Sequence, residues 1–134
     1  SAEPPALSSS RLLPRMLVFK EFSFESAHRL PHVPAEHKCA RLHGHSFHVK
    51  VTVAGPVGAE SGWVMDFADI KRAFSPIHDQ LDHRYLDEVA GLGAPTLENL
   101  CTYVWRAVEP AFANVSRVRV WREGMGDGCM LSRS

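Results

Sequence analysis

The chain has 134 residues, 45% of them hydrophobic and 22% charged, which suits one globular domain with a proper hydrophobic core. Lysine plus arginine number 15 and aspartate plus glutamate number 15, so no basic surplus points to nucleic acid or an anionic membrane. No stretch is long and apolar enough to span a bilayer. The odd set Cys39, Cys101 and Cys129 lacks the spacing of a disulfide framework and argues for a reducing compartment, the cytoplasm.

Residues 1–15 are Ser/Pro-rich and aperiodic, a flexible leader or an added tail, and residues 16–134 are read as a single catalytic domain. Leu17 to His28 reads as a strand, with Phe22, Phe24, Ser26 and His28 on one face. Arg29 to Leu42 is a loop carrying Pro31, Pro34 and Cys39. A second strand follows from His43 to Ala54. His43, His45, Phe47, Val49, Val51 and Val53 share one face of it, and His48, Lys50 and Thr52 the other. Gly55 to Gly62 is a turn, and Trp63 to Met65 a short strand.

Asp66 is placed to N-cap a helix whose stripe is Phe67, Ile70, Phe74, Ile77 and Leu81. Pro76 predicts a kink or break after Ser75. Asp82 to Tyr85 reads as a loop. Thr96 N-caps a second helix with Leu97, Leu100, Cys101, Val104, Trp105 and Val108 on its apolar face, ended by Pro110. Val115 to Glu123 is a strand, with Val118 and Val120 opposite Arg119, Trp121 and Glu123. A Gly-rich turn leads to a last strand, Cys129 to Ser132. Strands, then helices, then strands predict an α+β domain, an antiparallel sheet with both helices on one face.

His28, His43 and His45 are the candidate metal ligands. Alternation along a strand aims the two imidazoles of a His-x-His the same way, and His28 joins them if its strand is the antiparallel neighbour. Imidazole suits zinc, and catalytic zinc commonly keeps three protein ligands and one open position. Three isolated surface or core histidines are the bland alternative. Cys39, beside Lys38 and Arg41, is either a fourth ligand closing a structural site or a reactive thiolate beside an open one. Ligand counting leaves that choice open.

Asp82-His83 reads as a helix-end ion pair or as a base whose protonation a carboxylate sets. Glu123 is either a solvated strand-end carboxylate or an anchor for the amidine-like edge of a heterocycle. Arg29, Lys38, Arg41 and Arg84 are singly ordinary surface charges, and as a group they suit a run of phosphates. His32, His37, His48 and His78 read as surface histidines, and Cys101 as core.

The blocks FSFESAHRLP, CARLHGHSFHVKV, GWVMDF, LDHRYLDE, PTLENL and VWREG, spread from Met16 to Ser132, resemble the 6-pyruvoyltetrahydropterin synthase / 6-carboxytetrahydropterin synthase family. The resemblance implies zinc on His28, His43 and His45, one ion per subunit, with Cys39 as catalytic acid/base and Asp82 and His83 as its partners. It implies that Glu123 anchors the pterin and that Thr96 helps hold its ring. The implied fold is the tunnelling fold, a four-stranded antiparallel sheet with two helices on one face, assembled as a homohexamer of two trimers.

The short Cys39-to-His43 gap is similar to the carboxy-forming branch, which implies a lyase of queuosine biosynthesis. It would convert the pterin triphosphate 7,8-dihydroneopterin triphosphate and water to 6-carboxytetrahydropterin, acetaldehyde and triphosphate. The pyruvoyl-forming activity and a non-catalytic zinc-stabilised binding module are the alternatives. Gly124 departs from the family pattern, where a hydroxyl residue is common after the pterin glutamate.

Overall fold

The computed structural model describes residues 14–28, 33–37 and 43–133, and at His43 the backbone alone. The expectations for residues 1–13 and for Arg29, His32, Lys38, Cys39 and Arg41 lie outside these residues.

Two long strands form the centre. β1 (Met16–His28) and β2 (His43–Gly55) pair antiparallel along their whole length, from Met16 opposite Gly55 to His28 opposite His43. Their period-two alternation is what a half-buried pleated strand requires. Helix α1 (Phe67–Leu81) follows, then a two-residue strand β3 (Arg84–Tyr85), helix α2 (Leu97–Val108), strand β4 (Val115–Arg122) and strand β5 (Gly128–Ser132). The sheet order is β3-β1-β2-β4-β5.

The α+β class and the mainly antiparallel sheet agree with the sequence reading. Three details differ. Residues 63–65 form bends, and the extra strand is instead Arg84–Tyr85, which runs parallel to β1 at Ser26 and Ala27. The sheet therefore has five strands, one more than the four that the family resemblance implies. The expected break after Ser75 is absent, because α1 runs unbroken through Pro76. Its stripe explains this. Ile70 and Phe74 before the proline, and Ile77 and Leu81 after it, are all buried against one sheet face. A break would lift one half of that stripe from the core.

Caps close both helices as their residue types suggest. The Asp66 carboxylate accepts from the Ala68 amide at 2.9 Å, and the Thr96 hydroxyl from the Asn99 amide at 3.1 Å. The core lies between the helices and one sheet face. Phe24, Phe47, Val49, Val51, Val118 and Val120 come from the strands, and Phe74, Leu81, Leu100 and Val104 from the helices. Phe22 stacks on Phe74 with ring centroids 4.1 Å apart. Cys101 donates to the Val118 carbonyl at 3.1 Å, and burial pushes its thiol pKa up to about 12, which agrees with a core role. The opposite sheet face, with Glu25, Ser46, His48, Lys50, Arg119 and Trp121, is left partly open to solvent.

Replacing Phe74 by alanine removes a fully buried ring that joins α1 to β1. Urea denaturation is expected to show a loss of ~3–5 kcal/mol of stability. A loss below ~1 kcal/mol would contradict this packing.

Candidate active site

The register of β1 and β2 brings the candidate ligands together. His28 lies across from His43, and Ser26 across from His45. The His28 and His45 rings meet edge to face, with centroids 4.9 Å apart and an interplanar angle of 86°. Nε2 of each ring is buried. His28 Nδ1 lies 2.9 Å from the Pro95 carbonyl. A carbonyl only accepts, so Nδ1 carries the proton and Nε2 is the basic nitrogen of the neutral ring. Metal-binding histidines are commonly oriented by such a bond from the distal nitrogen to a backbone carbonyl. Among the described residues, no group of three or more His, Cys, Asp or Glu side chains is close enough to hold a metal. The two described imidazoles fit a divalent metal of nitrogen preference, and the backbone of His43 is in register to join them.

Asp82 and His83 follow the last turn of α1. The Asp82 amide bonds back to the His78 carbonyl at 2.8 Å, ending the helix. One carboxylate oxygen then accepts from the Glu25 amide at 2.9 Å, and the other faces His83 Nδ1 at 2.8 Å. These bonds, the Glu25 amide first and His83 second, hold the Asp82 carboxyl below its ordinary value of 3.8. The His83 amide donates to the Glu25 carbonyl at 2.6 Å, and its φ is 54°. A non-glycine residue in the left-handed region is strained, and such strain concentrates at functional sites. The His83 ring is 79% exposed, with Nδ1 committed to Asp82 and Nε2 left as the basic nitrogen.

His83 and His45 border one shallow cavity of about 510 Å³, together with Glu25, Gly44, Ser46 and Tyr85. A run of hydrogen bonds continues from there to Glu123. The Ser46 hydroxyl donates to the Glu25 carboxylate at 2.7 Å, and the Ser46 carbonyl accepts from the Glu123 amide at 2.9 Å. The described candidates therefore gather at one end of the sheet: His28 and His45, Asp82 and His83, Glu123 just past β4, and Thr96 next to the Pro95 carbonyl that holds His28. Glu123 and His48 belong to the open sheet face, whereas His28 and His45 share the parity of the core face.

Two expectations need revision. His48 and His78 read as surface histidines, yet each has a specific partner: His48 Nε2 contacts the Glu123 carboxylate, and His78 Nε2 lies 3.0 Å from the Ser23 carbonyl. The unusual Gly124 has a backbone reason, since its φ of +69° suits glycine and strains any side chain. Sequence reading also missed Glu25 and Ser46. Their signal was parity alone, as both fall on the non-core face beside the histidine blocks. Arg84, a candidate phosphate contact, bonds through Nε to the Asp79 carbonyl at 3.3 Å.

A five-stranded, mainly antiparallel sheet with two helices on one face and this cluster at its end is the scaffold of a class of small α+β lyases. The chain belongs to the 6-pyruvoyl tetrahydropterin synthase family, whose model matches residues 17–133. It is 45% identical over 100 residues to a Synechocystis protein named 6-carboxy-5,6,7,8-tetrahydropterin synthase, covering 71% of this chain and 76% of that one. It is 30% identical to a dihydroneopterin monophosphate aldolase of Pyrococcus furiosus, over 74% of this chain and 82% of that one. The solved structure of the Caenorhabditis elegans 6-pyruvoyl tetrahydropterin synthase superposes with a TM-score of 0.80 at 28% identity, covering 91% of this chain and 98% of that one.

Two outcomes follow from the geometry. The Asp82 pKa is depressed by folding, so the stability it adds is complete above the ordinary value of 3.8 and fades as pH falls through the lower folded value. The melting-temperature gap between wild type and Asp82→Asn is therefore expected to be widest above that pH and to close in more acid buffer. A gap independent of pH would contradict the ionised Asp82. Thr96→Ala is expected to cost ~1 kcal/mol through the lost cap, with most of it restored in Thr96→Ser, as read by thermal unfolding.

Proposed function

We propose that this protein is a zinc-dependent 6-carboxy-5,6,7,8-tetrahydropterin synthase, a carbon–carbon lyase acting on 7,8-dihydroneopterin triphosphate in the cytoplasm as a step of queuosine precursor synthesis. The observation that carries the reading is the cavity that His45 and His83 border together, with His28 packed edge to face on His45 and Asp82 bonded to His83, in a protein 45% identical to a relative of that name.

His28, His43 and His45 would hold the zinc, with Pro95 fixing the His28 ring through Nδ1. When bound, zinc supplies Lewis-acid polarisation of the substrate's side-chain hydroxyls. The remaining work falls to the protein's own groups. The Glu123 carboxylate accepts paired N–H bonds from the amidine-like edge of the pterin and so orients the ring, an effect that raises effective molarity. The substrate's C–H bond adjacent to the ring is acidified, because its anion delocalises into the pterin imine. Cys39 takes that proton as thiolate. His83, held in the Nδ1-H tautomer by Asp82, accepts and returns protons at Nε2. Loss of triphosphate and cleavage of the carbon–carbon bond follow.

Assembly into a hexamer of two trimers belongs to the same proposal. Among the described residues no strand pairs outside β5, where Met130 and Leu131 are exposed, and at the opposite side of the sheet Met16, Leu17 and Phe19 of β1 are exposed as well. An uncovered strand edge is a template for pairing with another polypeptide.

Zinc-loaded protein incubated with 7,8-dihydroneopterin triphosphate should release acetaldehyde together with 6-carboxytetrahydropterin, and Asp82→Asn should lower kcat by about 10²-fold or more. Pyruvoyltetrahydropterin without acetaldehyde would assign the sister activity instead. No turnover by folded, metal-replete protein would favour the zinc-stabilised binding module.

A further inference from the structure

On the open face of the sheet, His48 of β2 and Trp121 of β4 are direct cross-strand partners. Their rings stack with centroids 5.2 Å apart and 17° between planes. The Arg119 guanidinium also lies over the Trp121 ring, 4.3 Å from its centroid. On the far side of β4, Trp121 pairs with Gly128, where an added Cβ would come within 2.8 Å of the Trp121 Cβ and 3.0 Å of the Val120 carbonyl. Only glycine leaves room for β5 to pack so close to β4 beneath Trp121. Stacking on Trp121 fixes the plane of the His48 ring and leaves one edge to face the end of β4. There Nε2 meets the Glu123 carboxylate, and since an ionised carboxylate only accepts, Nε2 is the donor. Among the described residues, Glu123 is otherwise held at its backbone alone, by the bond from its amide to the Ser46 carbonyl, and its side chain is 67% exposed.

We infer that His48 is a positioning residue for the ring-binding carboxylate: stacked on Trp121, it donates through Nε2 to Glu123 and sets the orientation in which that carboxylate meets a pterin's N–H pair. This deepens the proposed function and rests on Glu123 being the ring anchor. A carboxylate offers about four lone-pair sites on two oxygens. His48 takes one on Oε2, so both oxygens keep sites for the two parallel N–H donors of an amidine edge. A long side chain beyond the end of a strand would otherwise sample several rotamers, and each would have to be given up on binding. His48 removes that cost before the ligand arrives.

The test compares His48→Ala, His48→Gln and Glu123→Gln in steady-state kinetics with 7,8-dihydroneopterin triphosphate, and in fluorescence titrations with neopterin, which has the ring without the phosphates. His48→Ala is expected to raise KM and the neopterin Kd by about tenfold, the size of one lost hydrogen bond to a charged group, while kcat changes less than about twofold. His48→Gln, which restores an N–H donor of similar reach, is expected to recover most of that loss. In the Glu123→Gln background, His48→Ala should add little, because the pair acts as a unit.

An unchanged KM and Kd in His48→Ala, with Glu123→Gln strongly impaired, would overturn the role of His48 and leave the anchor standing. The same holds if kcat falls with KM unchanged, or if glutamine is as poor as alanine. Wild-type binding by Glu123→Gln would remove the anchor itself and the inference with it.

Discussion

The antiparallel register between β1 and β2 is the constraint on which the site depends. It places His28 across from His43 and Ser26 across from His45. Because side chains alternate across a strand, a slip of one residue would send His28, Phe24 and Phe22 to the open face and bring Glu25 into the core. The buried row of Phe24 with Phe47, stacked at 5.1 Å, and of Val49 with Val120, makes such a slip costly. The same hydrophobic pairing that builds the core thus sets the strand positions of the histidines, and the Pro95 carbonyl then orients the His28 ring.

From that register the rest of the end cluster follows. The backbone leaves α1 beside the last residues of β1, where Glu25 captures both Asp82 and His83. β4 pairs with the other edge of β2, so its end delivers Glu123 next to Ser46. Glu25 and Ser46 then bridge the two, linking the Asp–His pair to the Glu123 backbone amide through three hydrogen-bonded steps. The helix side contributes through Thr96, whose cap begins α2 directly after the Pro95 carbonyl that holds His28. Cap, carbonyl and imidazole are linked parts of one arrangement. Altering Thr96 therefore acts on the histidine end through the backbone.

What the sequence made legible was periodic. Alternation placed Phe22, Phe24, Ser26 and His28 on one face, and the two helical stripes named the buried residues Ile70, Phe74, Leu100 and Val104. Asp66 and Thr96 declared their caps because short oxygen-bearing side chains satisfy the first free amides of a helix. The misses arose where tertiary contacts outweigh local rules. Pro76 breaks a helix in isolation, but the buried stripe on both sides of it keeps α1 whole. Arg84–Tyr85 is too short to show a pattern, and it becomes a strand only because β1 offers an edge. His48 looked like a surface histidine because nothing local marks a partner 75 residues away. Its pairing with Trp121 depends on the β2–β4 register, which one strand's pattern does not encode.

Under the proposed function, His28, His43 and His45 hold one metal ion per subunit, with Cys39 free of it. Cobalt(II) titration of metal-free protein tests it most directly, since the visible absorption of bound cobalt reports both stoichiometry and ligand type. The account predicts saturation at one ion per subunit, a spectrum without thiolate charge-transfer bands that is unchanged in Cys39→Ala, and loss of tight binding in His28→Ala and His45→Ala. A thiolate band that disappears in Cys39→Ala, or tight binding that survives both histidine substitutions, would contradict it.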